Sequence, residues 1–128
     1  MKLAALFLIL FATAAGSSLR QDTQKPDPCA KALSQADMND CWGREYKAAD
    51  ATLNQVYWQL VSKLDDQEKA QLKEVESAWL RYRDANCEFV ADQYKGGTIR
   101  PMTHAICLTD MTKNRTAELK IQIEERDH

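Results

Sequence analysis

The chain has 128 residues, with 17 Lys and Arg against 19 Asp and Glu, 45% hydrophobic residues and 28% charged residues. This length holds one ordinary domain, and the composition is typical of a globular protein rather than a disordered one. The net charge of −2 argues against a nucleic-acid-binding protein, which would normally carry a basic stripe.

The N-terminus has the pattern of a secretory signal peptide. Lys2 precedes an apolar run over residues 3–13, and small residues follow around Ala14. This run is too short to span a bilayer comfortably, and no Cys directly follows it to carry a lipid anchor. We therefore expect a signal peptide over 1–15, a mature chain without a membrane span, and a periplasmic or secreted location. Loss of Lys2 leaves a mature charge of about −3.

The next segment, 16–28, is polar and contains Pro26 and Pro28, so we expect a flexible lead-in there and a folded domain over 29–128. Ser34 with Asp37 resembles a helix start. Apolar residues then recur at steps of three and four, which predicts a helix over about 34–64. These residues are Met38, Trp42, Tyr46, Ala49, Leu53, Val56, Leu60 and Leu64.

A second helix is predicted from Asp65, which has Glu68 three positions later, to about residue 95. Gly96 and Gly97 then favour a left-handed helix end and a tight connection. The expected apolar face of this helix consists of Leu72, Val75, Trp79, Tyr82 and Phe89.

Pro101 fits the first turn of a third helix, which carries Met102, Leu108, Met111 and Leu119. The linkers between the three helices are short, so neighbouring helices should run in opposite directions. The sequence therefore predicts an all-α fold, an antiparallel three-helix bundle.

Four cysteines in an exported chain favour two disulfides. Cys87 and Cys107 are equidistant from residue 97 and should lie at the same level of neighbouring helices, which makes them the first expected pair. Cys29 can reach Cys41 through an extended segment, although the level of Cys41 leaves the other pairings open. The Cys spacing lacks the close pairs of a zinc site, so we expect no metal.

No catalytic motif of a hydrolase, metalloprotease or nucleotide-binding enzyme occurs. His104 is the one His within a predicted folded segment, and the Asp pairs sit in first turns of helices, where carboxylates favour the dipole. We expect no catalytic residue, no cofactor and no enzyme activity.

A polar cluster is predicted where the first two helices are at the same level. Residues at equal sequence distances from the turn between the first two helices lie at the same level. Glu45 is then opposite Arg83 and Asp84, which predicts an ion pair between Arg83 and Glu45 that sets helix register. Arg115 reaches the level of Trp79, where a cation–π contact is possible. We interpret these residues as structural.

The connection after the second helix is the candidate partner-binding segment. A disulfide near its base and Pro101 would limit the entropy it loses on binding. A helix end and a turn explain the glycines but do not explain an exposed Ile99 and Arg100. The candidate residues are Gly96, Gly97, Thr98, Ile99 and Arg100.

The ordered set of motifs resembles one known family. The matching residues are Ser34-Gln35-Ala36-Asp37-Met38-Asn39-Asp40-Cys41, Ala49-Asp50, Leu53-Asn54, Tyr57, Trp79, Tyr82-Arg83-Asp84, Cys87, Gly96-Gly97-Thr98, Cys107, Thr112, Arg115 and Leu119. Over about residues 29–120 the chain resembles the LprI-like lysozyme inhibitor family. The resemblance implies a small exported bacterial helical domain that binds lysozyme, here without a lipid anchor.

Lysozymes cleave glycan with two carboxylates beside a cleft, so an inhibitor can fill that cleft and offer donors or a cation to these acids. We expect Arg100 to be the residue that enters this cleft. The alternative is a periplasmic structural or adaptor protein that binds an envelope component without inhibiting lysozyme. A third interpretation, redox or metal chemistry at His104 and Cys107, requires free thiols.

Overall fold

A computed structural model describes residues 25–128, which form three helices: α1 (Gln35–Val61), α2 (Asp66–Asp92) and α3 (Arg100–Arg126). The predicted signal peptide and residues 16–24 of the predicted lead-in lie outside the described residues. No residue from 25 to 128 belongs to a strand, and the three helices agree with the predicted ones to within about a turn. The all-α class is confirmed.

The local signals in the sequence set the helix ends. The Ser34 hydroxyl accepts a hydrogen bond from the Asp37 N–H at 3.0 Å and caps α1. Asp65 and Glu68 form a complete capping box at the start of α2. Gly96 has φ +83°, which a residue with a Cβ resists, and Pro101 lies in the first turn of α3.

Helix α3 is the common partner of the other two helices, and α1 and α2 touch each other far less. Ion pairs give the directions. Lys63 near the end of α1 contacts Asp127 after the end of α3, so these two helices run the same way. The start of α2 faces the end of α3, and the end of α2 faces the start of α3, as the pairs Glu68–Arg126 and Glu88–Arg100 indicate.

The apolar core occupies one end of the bundle. It consists of Leu53, Val56, Leu60, Leu64 and Leu119, and Tyr57, Leu72, Trp79 and Ile123 pack around it. Towards the other end, most buried residues of α1 and α3 are small or polar, among them Ala49, Thr109 and Thr112, and Leu108 is a large apolar residue buried with them. The Thr109 hydroxyl donates to the carbonyl of Ala105 at 2.7 Å, which satisfies it without a partner on another helix.

The predicted apolar face of α2 is partly wrong. Leu72 and Trp79 are half-buried as expected, but Val75, Tyr82 and Phe89 are exposed. The buried residues of this helix are Glu76, Arg83, Cys87 and Ala91. At 100° a residue, Cys87 lies about 140° around the helix from Tyr82, so a disulfide from Cys87 to α3 turns the Tyr82 side outward.

Both disulfides form as first expected. Cys87 pairs with Cys107 at a Cα–Cα distance of 5.5 Å, and Cys29 pairs with Cys41 at 5.9 Å. The pairings that the sequence left open are thereby settled. All four cysteines are bonded, so no thiol is free for the redox or metal chemistry considered for Cys107. None of the helices formed by residues 25–128 has an apolar stretch long enough to cross a membrane.

Candidate functional site

The α2–α3 connection, residues 93–99, is a tight turn beside a disulfide. The Gly97 N–H donates to the carbonyl of Tyr94 at 2.9 Å. A Cβ at Gly97 would lie 3.1 Å from that carbonyl oxygen, and Gly96 holds a positive φ. Glycine is therefore favoured at residue 96 by its backbone conformation and at residue 97 by the close carbonyl, and the Cys87–Cys107 bridge ties the two helices about two turns below the connection.

Arg100 braces the base of the connection. Its guanidinium contacts Glu88 at 2.5 Å and Asp92 at 2.8 Å, both near the end of α2. The Arg100 hydrogen bond holds the pKa of Asp92 below its ordinary value, and the bonds to Asp92 and Glu88 raise the pKa of Arg100. Ile99 and Arg100 are half-buried rather than exposed, because this ion-pair group draws the start of α3 against α2.

The connection is also anchored to α1 and keeps three backbone donors free. The Asn39 side-chain amide donates to the carbonyl of Thr98 at 3.1 Å. Within residues 25–128, the N–H groups of Gly96, Thr98 and Ile99 donate to no acceptor. A rigid turn with unused donors can bind an acceptor group of a partner with little loss of entropy.

The predicted ion pair between Arg83 and Glu45 is wrong. The Arg83 guanidinium contacts Asp84 at 2.8 Å and Asp50 at 3.6 Å, and it donates to the Thr112 hydroxyl at 3.3 Å. Glu45 instead faces Lys113 of α3 at 3.8 Å. Reflection about a turn gives the level of a residue along a helix but not its face, and Glu45 lies on the α3-facing side of α1.

Aromatic rings complete the environment of Arg83, which is 5% exposed. Its guanidinium carbon lies 5.4 Å from the Tyr46 ring centroid and 5.3 Å from that of Trp79. Burial raises the pKa of the Tyr46 hydroxyl, and the charge of Arg83 partly offsets this. The predicted contact of Arg115 with Trp79 is confirmed at 5.9 Å.

Arg115 joins α3 to α2 through Glu76, at 3.0 Å, and also contacts Glu118 at 2.8 Å. Burial alone would lower the pKa of Arg115, but its bonds to the two carboxylates raise it above its ordinary value. The Oε1 atom of Glu76 is buried and has no hydrogen-bond partner among the described residues. This arrangement fixes the packing of α2 against α3.

Sequence reasoning missed the acidic partners Asp50, Glu76, Glu88 and Asp92. A signal existed for Asp50, because it follows Tyr46 by four residues and so shares its helix face. A signal existed for Glu88 and Asp92 as well, since both lie within two helical turns of the connection and share one side of α2. His104 lies 3.1 Å from Glu88, beside the ion pairs of Arg100.

Comparison with known proteins decides the family. The model of the family described as lysozyme inhibitor LprI matches residues 28–119. The chain belongs to the LprI lysozyme inhibitor family. A relative in Rhizobium meliloti (strain 1021), uncharacterized protein R02472, is 36% identical over 97% of this chain and 96% of its own length. No solved structure matches the chain significantly.

The part of the chain that matches the LprI family contains both disulfides and most of the contacts described above. It begins just before Cys29, includes both disulfides, the connection and the Arg83 and Arg115 contacts, and ends at Leu119 in the apolar core. LprI proteins are exported. The features that fix the bundle and the connection therefore lie within the region that defines the family.

Proposed function

We propose that this protein inhibits a lysozyme by placing the α2–α3 connection in the enzyme's cleft, and that it acts in the periplasm or as a secreted protein. The observation that carries the proposal is the match of residues 28–119 to the lysozyme inhibitor family. The role is that of a binding protein, without a catalytic step of its own.

The chemistry of the target suits the connection. A lysozyme places two carboxyl groups on either side of the scissile bond, and a ligand in the cleft satisfies them with hydrogen-bond donors. The free N–H groups of Gly96, Thr98 and Ile99 are donors of this kind. Because the disulfide and the Arg100 ion pairs already order the turn, few backbone torsions remain to be fixed on binding.

Arg100 can contribute in two ways that give opposite predictions. As a cation for the lysozyme acids, it has to leave Glu88 and Asp92, so removing their charge should strengthen inhibition. As a brace for the connection, it needs both partners, so the same change should weaken inhibition. We favour the brace, since two carboxylates already neutralise the guanidinium.

Overall charge assists the encounter only modestly. Residues 25–128 contain 15 Lys and Arg and 18 Asp and Glu, once Lys2, Arg20 and Asp22 are excluded. An excess of about three negative charges attracts a basic lysozyme weakly, and salt screens this attraction. Association with a basic lysozyme should therefore slow at high ionic strength, while dissociation changes little.

The test is lysis of bacterial cell walls by lysozymes with added wild-type protein or variants of it. Arg100→Ala should raise the concentration needed for half-inhibition by tenfold or more, which corresponds to about 1.4 kcal/mol. The double variant Glu88→Gln, Asp92→Asn should also weaken inhibition if Arg100 is a brace. Lys120→Ala, exposed near the opposite end of α3, is the matched control and should inhibit like wild type.

Two results would count against the proposal. Equal inhibition by wild type and Arg100→Ala would exclude the connection and direct attention to the helix faces. If no lysozyme is inhibited, an envelope adaptor role becomes the leading hypothesis.

A further inference from the structure

The outward side of α2 carries an apolar stripe that no described residue covers. It consists of Val75, Ala78, Tyr82, Ala85 and Phe89, which recur at steps of three and four along about 21 Å of helix. All five are exposed, and Phe89 and Tyr82 are 80% and 62% exposed. Large apolar residues rarely stand in such a row on a monomer without a binding role.

The stripe has the pattern of one helix of a coiled coil. Large residues alternate with alanines at a spacing of seven, so Val75, Tyr82 and Phe89 occupy one heptad position and Ala78 and Ala85 the other. Two such helices that run in opposite directions place each of the two aromatic side chains against an alanine. Tyr82 then faces Ala85 of the second copy, and Phe89 faces Ala78.

Charges beside the stripe select the same alignment. Glu74, Arg81 and Glu88 flank it at a spacing of seven, and Arg81 makes no ion pair within residues 25–128. When Tyr82 faces Ala85 of the second copy, Arg81 lies beside Glu88 of that copy, and its Glu88 lies beside Arg81 here. An alignment shifted by one heptad places Arg81 beside Arg81 and Glu74 beside Glu88, which repel.

From this two-fold complementarity we propose that the protein forms a homodimer through α2, in which two copies pair in opposite directions along the stripe. Burial of two exposed rings, Val75 and two alanines on each copy removes roughly 1,000 Å² in total from water. This area is at the low end for a specific interface, so the dimer should form at micromolar concentrations. The two α2–α3 connections then lie at opposite ends of the pair.

The test is the molar mass of the full mature chain by analytical ultracentrifugation, from about 1 μM to about 500 μM protein. We expect the mass to rise from one copy to two across this range. Phe89→Ser should raise the dimer dissociation constant by tenfold or more. Ile121→Ser, at an exposed apolar residue of α3 outside the stripe, should leave it unchanged.

Charge reversal tests the alignment. Arg81→Glu and Glu88→Arg should each weaken self-association, because each variant places like charges together. An equimolar mixture of the two should dimerise again, since both ion pairs are restored in the heterodimer. Thermal unfolding of each variant checks that the bundle is intact, which matters for Glu88→Arg because Glu88 also contacts Arg100.

Three results would overturn the dimer. The first is a mass of one copy at every concentration. The second is a dimer that Phe89→Ser leaves unchanged or that the mixture fails to restore. The third is a monomeric full chain whose truncation to residues 25–128 dimerises, which would assign the stripe to residues 16–24 instead.

Discussion

The guanidinium carbon of Arg83 lies 5.3 Å from the centroid of the Trp79 ring, one helical turn away on α2. Each of these two residues also contacts another helix. Arg83 lies over the Tyr46 ring of α1, and the Trp79 ring contacts Arg115 of α3. A layer of cations and aromatic rings therefore joins all three helices in the middle of the bundle. This layer lies beside the apolar core, against which Trp79 also packs.

Replacement of Arg83 should destabilise the protein strongly. Arg83→Ala removes two cation–π contacts, two ion pairs and a hydrogen bond to Thr112 from a buried position, so we expect the free energy of unfolding to fall by about 2 to 4 kcal/mol. Urea denaturation measures this change. Arg44→Ala, at an exposed position of α1, should shift it by less than about 0.5 kcal/mol. Equal effects of the two variants would contradict the role of the layer.

The two disulfides should differ in what they protect. Each should contribute about 3 kcal/mol by constraining the unfolded chain, since they close loops of similar length, with sequence separations of 20 and 12. Unlinking Cys87 from Cys107 by double Ala substitution also leaves a void at a fully buried residue and should lower stability further. Unlinking Cys29 from Cys41 should chiefly release the segment before α1.

Thermal unfolding and amide hydrogen exchange separate these outcomes. We expect faster exchange before residue 35 in the Cys29, Cys41 variant, with α2 and α3 protected. Faster exchange throughout α3 in that variant would show that the first bridge supports the whole bundle instead.

Two glycines form a matched pair because a Cβ at either Gly43 or Gly96 meets no atom within 4 Å. The difference that decides the effect of a Cβ is the backbone conformation, since Gly43 is helical and Gly96 has a positive φ. Gly43 is in α1, so Gly43→Ala should stabilise the protein by up to about 1 kcal/mol. Gly96 has φ +83°, so Gly96→Ala should destabilise it by about 1 to 2 kcal/mol. Denaturant unfolding measures the change in stability of each variant, and changes of the same sign would contradict this account of the connection.

The contact between Arg100 and Asp92 predicts that the stability of the fold depends on pH. The hydrogen bond from Arg100 lowers the pKa of the folded Asp92, so this carboxylate stabilises the fold above its unfolded pKa. The contribution is lost as the pH falls through the lowered pKa, below about pH 4. An NMR titration of the Asp92 carboxyl should give a pKa that rises towards the ordinary value in Arg100→Ala. The same pKa in both proteins would contradict the proposed bond.

The sequence predicted the features that depend on local chemistry. The Asp65 capping box, the Gly96 turn and the level of Cys87 against Cys107 all follow from neighbours along the chain or from equal distances to a turn. Such features need no knowledge of how a helix is rotated about its axis. The bundle and the Cys87–Cys107 disulfide were therefore predictable, whereas for Cys29 and Cys41 the sequence showed only that a bridge could close.

Features that depend on how a helix is rotated about its axis were not predictable from the sequence. The expected inward face of α2 included Tyr82 and Phe89, but the disulfide at Cys87 turns another side of the helix towards α3. The predicted partner of Arg83 was wrong for the same reason. Asp50 and Glu45 lie at similar levels of α1 but on different faces of it. Hydrophobic periodicity alone cannot separate a core face from an apolar face that remains exposed.

The most direct test of the central claim is cell-wall lysis by a panel of lysozymes, with oxidised mature protein, with reduced protein, and with a Cys87→Ala, Cys107→Ala variant. The account predicts inhibition that increases with the dose of oxidised protein and is lost when the bridge below the α2–α3 connection is absent. No inhibition of any lysozyme at micromolar protein, or inhibition that survives loss of this bridge, would contradict it.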